Sequence, residues 1–365
     1  MVDIASTRSQ LHALPKIDLH RHLEGSLRLR TLAEIAHEHS IDLPGYAIED
    51  LRPLATVNGR QAGFQPFLEK FRFLRRFYPT REAVERVAYE AVTDAAEDNV
   101  RYLELRFNPV ALAQNRAFSL GAVTGWVCKA VGEAQQERNI RANLIVQIGR
   151  EETLSTAAEL LEVALAHRDE GVVGLDLAGD EKRHSATRFI ELFRRARDEG
   201  LHVTVHAGEV GGPANVAEAI EHLHAERIGH GVRAVRDPEV VKLIRERHVA
   251  LEVCPTSNVQ TGVVRDFWHH PLPDMLAMGL SVSINTDDPS ISDTTLTDEY
   301  WVAMSAMGIT LDEIKRTIVG AAEASFQPPA DRQRMAAWFR TALLPDDPAV
   351  ASGHNNEHRI DRRNH

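Results

Sequence analysis

The chain has 365 residues, 43% hydrophobic and 26% charged, with 53 acidic against 42 basic groups and a formal net charge of -11. This is the composition of a soluble protein, long enough for two average domains or one large α/β barrel. An acidic surface repels phosphate backbones and anionic membranes, so neither nucleic acid nor a membrane is an expected partner.

The N-terminus, Met1-Val2-Asp3-Ile4-Ala5-Ser6, lacks the basic start and apolar run of a signal peptide. No stretch approaches the roughly 18 uncharged apolar residues of a membrane span. The two cysteines, Cys128 and Cys254, allow one disulfide at most. Reduced, buried thiols in a cytoplasmic protein are the expectation.

Eight short apolar runs follow one another, each ending at Gly, Pro, Asn or a polar residue: Lys16 to Leu23, Val100 to Phe107, Ala142 to Ile148, Val172 to Leu177, His202 to His206, Arg227 to His230, Ala250 to Cys254 and Ser281 to Asn285. Several are β-branched and nearly continuous, as strands buried on both faces should be. Most intervening stretches have helical periodicity. Glu152 to Asp169 carries Leu154, Ala158, Leu161 and Leu165 on one face, and Thr187 to Glu199 and Pro238 to Arg247 behave alike. Alternating strand and helix implies a parallel sheet, and eight units imply closure into a (β/α)8 TIM barrel.

The first gap is much longer, from about Leu27 to Asn99, with helical patterns over Leu29–Glu38, Phe64–Phe77 and Arg81–Glu97. It reads as a helical insertion over the barrel mouth, a natural lid. Residues 1–344 are expected to form one domain. From about Pro345 to His365 the chain turns polar, and its histidines read as a frayed tail rather than a metal site.

In such barrels catalytic groups come from the C-terminal ends of several strands. Here the first strand ends in His20-Arg21-His22, the fifth in His206-Ala207-Gly208-Glu209 and the sixth in His230, and the eighth precedes Asp287-Asp288. His20 and His22, two apart on a strand, point to the same face. Two neutral imidazoles side by side can ligate one metal ion. His206 and Asp287 would complete a mixed nitrogen and oxygen shell that suits Zn²⁺, with Fe²⁺, Co²⁺ or Mn²⁺ left open. Glu209, three residues past His206, is placed near the metal but not on it, as a proton shuttle. His230 can orient or deprotonate a water, and Asp288 can face substrate. The common nucleobase-deaminase pattern, H-x-E followed by P-C-x-x-C, is absent, so Cys254 is assigned to core packing.

The chain resembles the adenosine deaminase family of the metal-dependent amidohydrolase superfamily. The opening run Pro15-Lys16-Ile17-Asp18-Leu19-His20-Arg21-His22-Leu23-Glu24-Gly25-Ser26-Leu27 looks like that family's first motif, and Gly174 to Glu181 like its fourth-strand motif. His206 to Glu209, Arg227 to Gly231, Cys254 to Asn258 and Asn285 to Pro289 match in order. Phe67 to Phe71 and Tyr102 to Phe107 look like the adenosine branch.

The resemblance implies one Zn²⁺ per chain on His20, His22, His206 and Asp287. It implies Glu209 as the group that protonates purine N1 and His230 as the group that positions a zinc hydroxide for attack on C6. His22, Glu24, Gly179 and Asp288 would contact substrate, with Asp288 at N7 and the Gly179 amide at N3. The implied reaction is hydrolytic deamination of adenosine and 2′-deoxyadenosine to the inosine nucleoside and ammonia. The substrate is a small purine nucleoside, and the oligomeric state is left open.

Glu24 departs from the family's usual Asp in the sugar-binding part of the first motif. Deaminases of 6-aminodeoxyfutalosine or of adenine are therefore the alternatives, and a plain helix cap near Ser26 is the competing role for Glu24 itself. A non-catalytic metal-binding barrel would need a lost acid or ligand, and none is missing. Related two-metal enzymes use a carboxylated lysine, whereas the fourth run ends Asp176-Leu177-Ala178-Gly179, which argues for one metal.

Overall fold

The computed structural model describes residues 4–57, 59, 64–113 and 118–345. Its centre is an eight-stranded parallel sheet in sequence order. The strands are β1 (Lys16–His22), β2 (Val100–Phe107), β3 (Arg141–Gly149), β4 (Val172–Ala178), β5 (His202–Ala207), β6 (Arg227–His230), β7 (Ala250–Val253) and β8 (Val282–Ile284). Each pairs with the next. The expected (β/α)8 TIM barrel is the observed architecture, with the expected strands displaced by a residue or so at some ends.

The ring closes between β1 and the loop after β8. The His22 amide donates to the Asp287 carbonyl and the Asp287 amide to the His20 carbonyl, both at 2.8 Å. Below this, side chains replace the backbone ladder: the Leu19 amide donates to Asn285 Oδ1 at 2.9 Å, and the Thr286 hydroxyl to Asp18 Oδ2 at 2.6 Å. Three residues of the expected site thus lie on the closing seam itself.

Both faces of the strands are buried, as expected, but their sequence alternates more than a continuous apolar run would. Leu103, Leu105, Leu175, Leu177, Val203, Val205, Leu251 and Val253 join the apolar core. The alternate positions Glu104, Arg106, Asp176, Thr204, His206 and Glu252 are equally buried and polar. These are the barrel interior, and they satisfy one another. The Arg227 guanidinium donates to Glu104 and Glu252, and Arg106 donates to Glu252, to Asp176 and to the Leu19 carbonyl. Buried charges require such pairing.

The stretch between β1 and β2 divides in two. Helix Arg81–Glu97, capped by the Thr80 hydroxyl on the Ala83 amide, packs on β2 and on helix Leu120–Glu137. It belongs to the outer ring of helices and is not part of a lid. Helix Phe64–Leu74, continued by a turn of 3₁₀ helix over Arg75–Phe77, lies over the barrel mouth, with Phe67 and Phe71 facing the cavity. The polar stretch set apart from residue 345 onward lies outside the described residues after Pro345.

Candidate active site

At the C-terminal end of the barrel, ligand atoms of His20, His22, His206 and Asp287 lie within 4.8 Å of one another, and all four residues are buried. Asp287 Oδ1 is 3.2 Å from both His20 Nε2 and His22 Nε2, and the Nε2 atoms of His22 and His206 are 3.3 Å apart. This is the convergence the strand ends lead one to expect.

The imidazoles are aimed from behind. His20 Nδ1 donates to Glu252 Oε2 at 2.7 Å, and His206 Nδ1 donates to Asp176 Oδ1 at 3.0 Å. Each bond sets the tautomer and turns Nε2 toward the common point. Arg106 links the two carboxylates, reaching Glu252 Oε2 at 2.7 Å and Asp176 Oδ2 at 3.2 Å. Burial opposes charge on Glu252 and Asp176. The guanidiniums of Arg106 and Arg227 outweigh it at Glu252, and His206 and Arg106 outweigh it at Asp176, so both carboxyls stay below their ordinary range.

The residues fit a divalent metal. Three nitrogens and one carboxylate oxygen converge, the supporting carboxylates fix two of the rings, and His20 Nε2 is buried with no hydrogen-bond partner. Close approach is built into the backbone: a Cβ on Gly229 would lie 2.9 Å from His20 Cε1. His230 and Asp287 both have φ +61°, a conformation L residues adopt at a cost, and one that marks functional strand ends.

Glu209 and His230 stand beside this cluster. His230 Nε2 is 3.8 Å from Glu209 Oε2 and 3.9 Å from Asp287 Oδ2. The loop carrying Glu209 is held by Glu181, whose carboxylate accepts from the amides of Gly208, Glu209 and Gly211 at 2.7–2.8 Å. Burial, then the charges of Asp287 and Glu181, push the Glu209 carboxyl well above its ordinary range.

The tautomer of His230 follows from a fixed donor three residues away in the chain of contacts. The Leu272 amide donates to His270 Nδ1 at 3.1 Å, so His270 Nε2 carries the proton and donates to Asn258 Oδ1 at 3.3 Å. Asn258 Nδ2 then donates to His230 Nδ1 at 3.1 Å, leaving the proton on Nε2, toward the cavity. Burial keeps this imidazole neutral, its pKa well below the ordinary value.

A cavity of about 510 Å³ opens over these groups, lined by His22, Glu24, Gly179, His206, Glu209, His230, Asp287 and Asp288. His20 sits behind it with no exposed surface. Asp288 precedes helix Pro289–Ser292 but makes no capping bond, and its Oδ1 has no partner. Burial and the neighbouring Asp287, Glu24 and Glu209 push its carboxyl well above the ordinary range. Gly179 follows β4 with φ +109°, and a Cβ there would strike Glu151 Oε2 at 2.5 Å. Glu24 does not cap a helix at Ser26: the next helix begins at Leu29, and Glu24 Oε1 accepts from the Asn108 amide at 2.8 Å.

Cys254 is fully buried, 3.6 Å from the Glu252 carbonyl, and burial pushes its thiol well up. Both cysteines are free, as expected. Sequence reasoning did not foresee the supporting roles of Arg106, Asp176, Glu181, Glu252, Asn258 and His270. The signal for three of them was a charged residue inside a run otherwise fit for burial.

The model of the adenosine deaminase family matches residues 15–340. The adenosine deaminase of Klebsiella pneumoniae (strain 342) is 38% identical over 314 residues, 86% of this chain and 94% of that protein. Among solved structures, the adenine deaminase of Arthrobacter aurescens superposes with a TM-score of 0.83 at 29% identity, over 90% of this chain and 98% of that one. An amidohydrolase from Burkholderia ambifaria, solved with bound zinc, superposes with a TM-score of 0.84 at 26% identity, over 98% of this chain and 96% of that one. The chain belongs to the adenosine deaminase family and is a hydrolytic deaminase.

Proposed function

We propose that the protein hydrolyses adenosine and 2′-deoxyadenosine at C6, releasing ammonia and the corresponding inosine nucleoside. One observation carries this reading above the others. Glu209, whose carboxyl burial pushes well above its ordinary range, stands 3.8 Å from the imidazole of His230 in the cavity that also holds the four convergent side chains.

His20, His22, His206 and Asp287 would hold one Zn²⁺, an assignment supported by the donor set and by the zinc in the Burkholderia relative. A bound Zn²⁺ lowers the pKa of water to about 7 and so supplies a nucleophile at neutral pH. Glu209 donates its proton to purine N1, which draws electrons from C6 and opens it to attack by water. His230, with its proton on Nε2, holds that water on the face of the ring next to C6. Asp288, its Oδ1 buried without a partner and its carboxyl pushed well up by burial and the neighbouring carboxylates, would donate to N7, an acceptor. The Gly179 amide, on the cavity wall, would donate to N3. As the tetrahedral carbon collapses, the 6-amino nitrogen leaves as ammonia. That nitrogen takes up one proton of the attacking water, the other water proton returns to Glu209, and the proton Glu209 gave stays on N1 of the product.

The sugar-side walls support a nucleoside over a free base. Glu24, Phe67 and Phe71 line the same cavity, and Glu24 Oε2 is buried there without a partner. Adenosine, 2′-deoxyadenosine, adenine and 6-aminodeoxyfutalosine should be compared by kcat/KM. Adenosine and 2′-deoxyadenosine should exceed the other two by at least roughly tenfold, the worth of one hydrogen bond to a charged group. A preference for adenine or 6-aminodeoxyfutalosine would overturn the assignment.

A further inference from the structure

The cavity is also lined by a carboxylate that the catalytic reading does not use, that of Glu152. Glu152 lies in the turn after β3, where its amide donates to the Gly149 carbonyl at 3.0 Å. Asn108 joins it to Glu24. The Asn108 amide donates to Glu24 Oε1 at 2.8 Å, and its side-chain Nδ2 donates to Glu152 Oε1 at 2.8 Å. Asn108 is itself fixed, because its Oδ1 accepts from the Val110 and Ala111 amides at the start of helix Pro109–Ala113. One buried residue therefore sets the position of both carboxylates.

Each carboxylate has one oxygen engaged and the other free. Glu24 Oε2 and Glu152 Oε2 are both buried without a hydrogen-bond partner, and both residues line the cavity. Gln147 Oε1, on β3, is a third cavity-lining acceptor in the same condition. Glu24 is 4% exposed, so its free oxygen has nowhere to turn except the cavity. Buried acceptors left unpaired are costly and call for donors. Arg75, on the same wall, lies near enough to moderate the charge of both carboxylates.

We propose that Glu152 is a substrate-binding residue, a second hydroxyl acceptor that works with Glu24, through Asn108, to select a sugar-bearing purine. The inference rests on the proposed orientation of the purine with C6 at the ligand cluster. A ribose presents O–H donors where the wall presents acceptors. Free adenine has no hydroxyls and leaves these acceptors unmatched.

The test pairs deletion of the carboxylate with deletion of each substrate hydroxyl. Wild type, Glu152→Ala and Glu152→Gln are assayed for kcat/KM on adenosine, on 2′-, 3′- and 5′-deoxyadenosine, and on adenine, with melting temperature as a check on folding. Glu152→Ala should lose roughly 10–100-fold on adenosine, the range for a hydroxyl bonded to a carboxylate. It should change adenine by less than about threefold, an order-of-magnitude bound for a site the base does not touch. The loss should largely vanish on one of the three deoxynucleosides, because that substrate already lacks the hydroxyl. Glu152→Gln keeps an acceptor and should recover part of the loss. Equal losses on all substrates, or losses that simply add on all three deoxynucleosides, would overturn the role of Glu152 while leaving the deaminase reading intact. Wild type inactive on every purine nucleoside would instead overturn the orientation on which the proposal rests.

Discussion

Glu209 and His230 are 3.8 Å apart and are tuned in opposite directions, the carboxyl up and the imidazole down. Both neutral forms are favoured by burial, so proton donation to N1 needs no charge to be created beforehand. Glu209→Gln keeps the shape and removes the proton, and kcat should fall roughly 10²–10⁴-fold while metal content stays unchanged. Near-normal turnover in that variant, measured by ammonia release, would remove Glu209 from the role of acid. The tautomer of His230 has its own test. Asn258→Leu takes away the Nδ2 donor that holds the proton on His230 Nε2, and kcat should drop roughly 10–100-fold, as for other residues that orient a functional imidazole. KM and metal content should move little, whereas a purely structural role would lower stability and leave kcat per folded molecule intact. The convergence of His20, His22, His206 and Asp287 was legible in sequence because imidazoles and carboxylates at strand ends have few other uses. The residues behind them were not, because Asp176 and Glu252 acquire meaning only when β4 is paired with β5 and Glu252 of β7 meets His20 of β1 inside the closed barrel.

Strand order and helix alternation were legible from apolar periodicity, with half of the strand boundaries unchanged and the others shifted by one residue. The interior of the barrel was not. Period-2 alternation of charge is diluted when the outward positions are uniformly apolar and several strands span only three or four residues. The long segment between β1 and β2 was misread in part for a related reason. Arg81–Glu97 and Phe64–Leu74 both show helical spacing, and spacing does not say which helix packs on the sheet and which covers the mouth. The covering helix makes a measurable claim. The Phe71 ring meets Phe67 edge-on at 6.0 Å, and both face the cavity. Phe71→Ala should raise KM for adenosine roughly tenfold, about the worth of half a buried aromatic ring, with a smaller effect on kcat. An unchanged KM would mean that the helix does not touch bound substrate.

At the scale of the whole molecule, the closing seam of the barrel and the ligand cluster coincide. His20, His22 and Asp287 join β1 to the end of β8 through backbone bonds and also supply three of the four side chains of the buried cluster that could hold a metal. A metal bound there ties the first strand to the last, so folding and metal binding should be linked. Stripping the metal should lower the melting temperature by at least about 5 °C, the shift expected when a ligand far above its Kd is withdrawn from a large domain. The most direct test of the account is a titration of the stripped protein with Zn²⁺, following adenosine deamination and bound metal together. Activity should start near zero, rise in proportion to bound zinc and reach its plateau at about one equivalent per chain, as a single four-ligand site requires. Full activity in the stripped protein, or a plateau reached only at two equivalents, would contradict it.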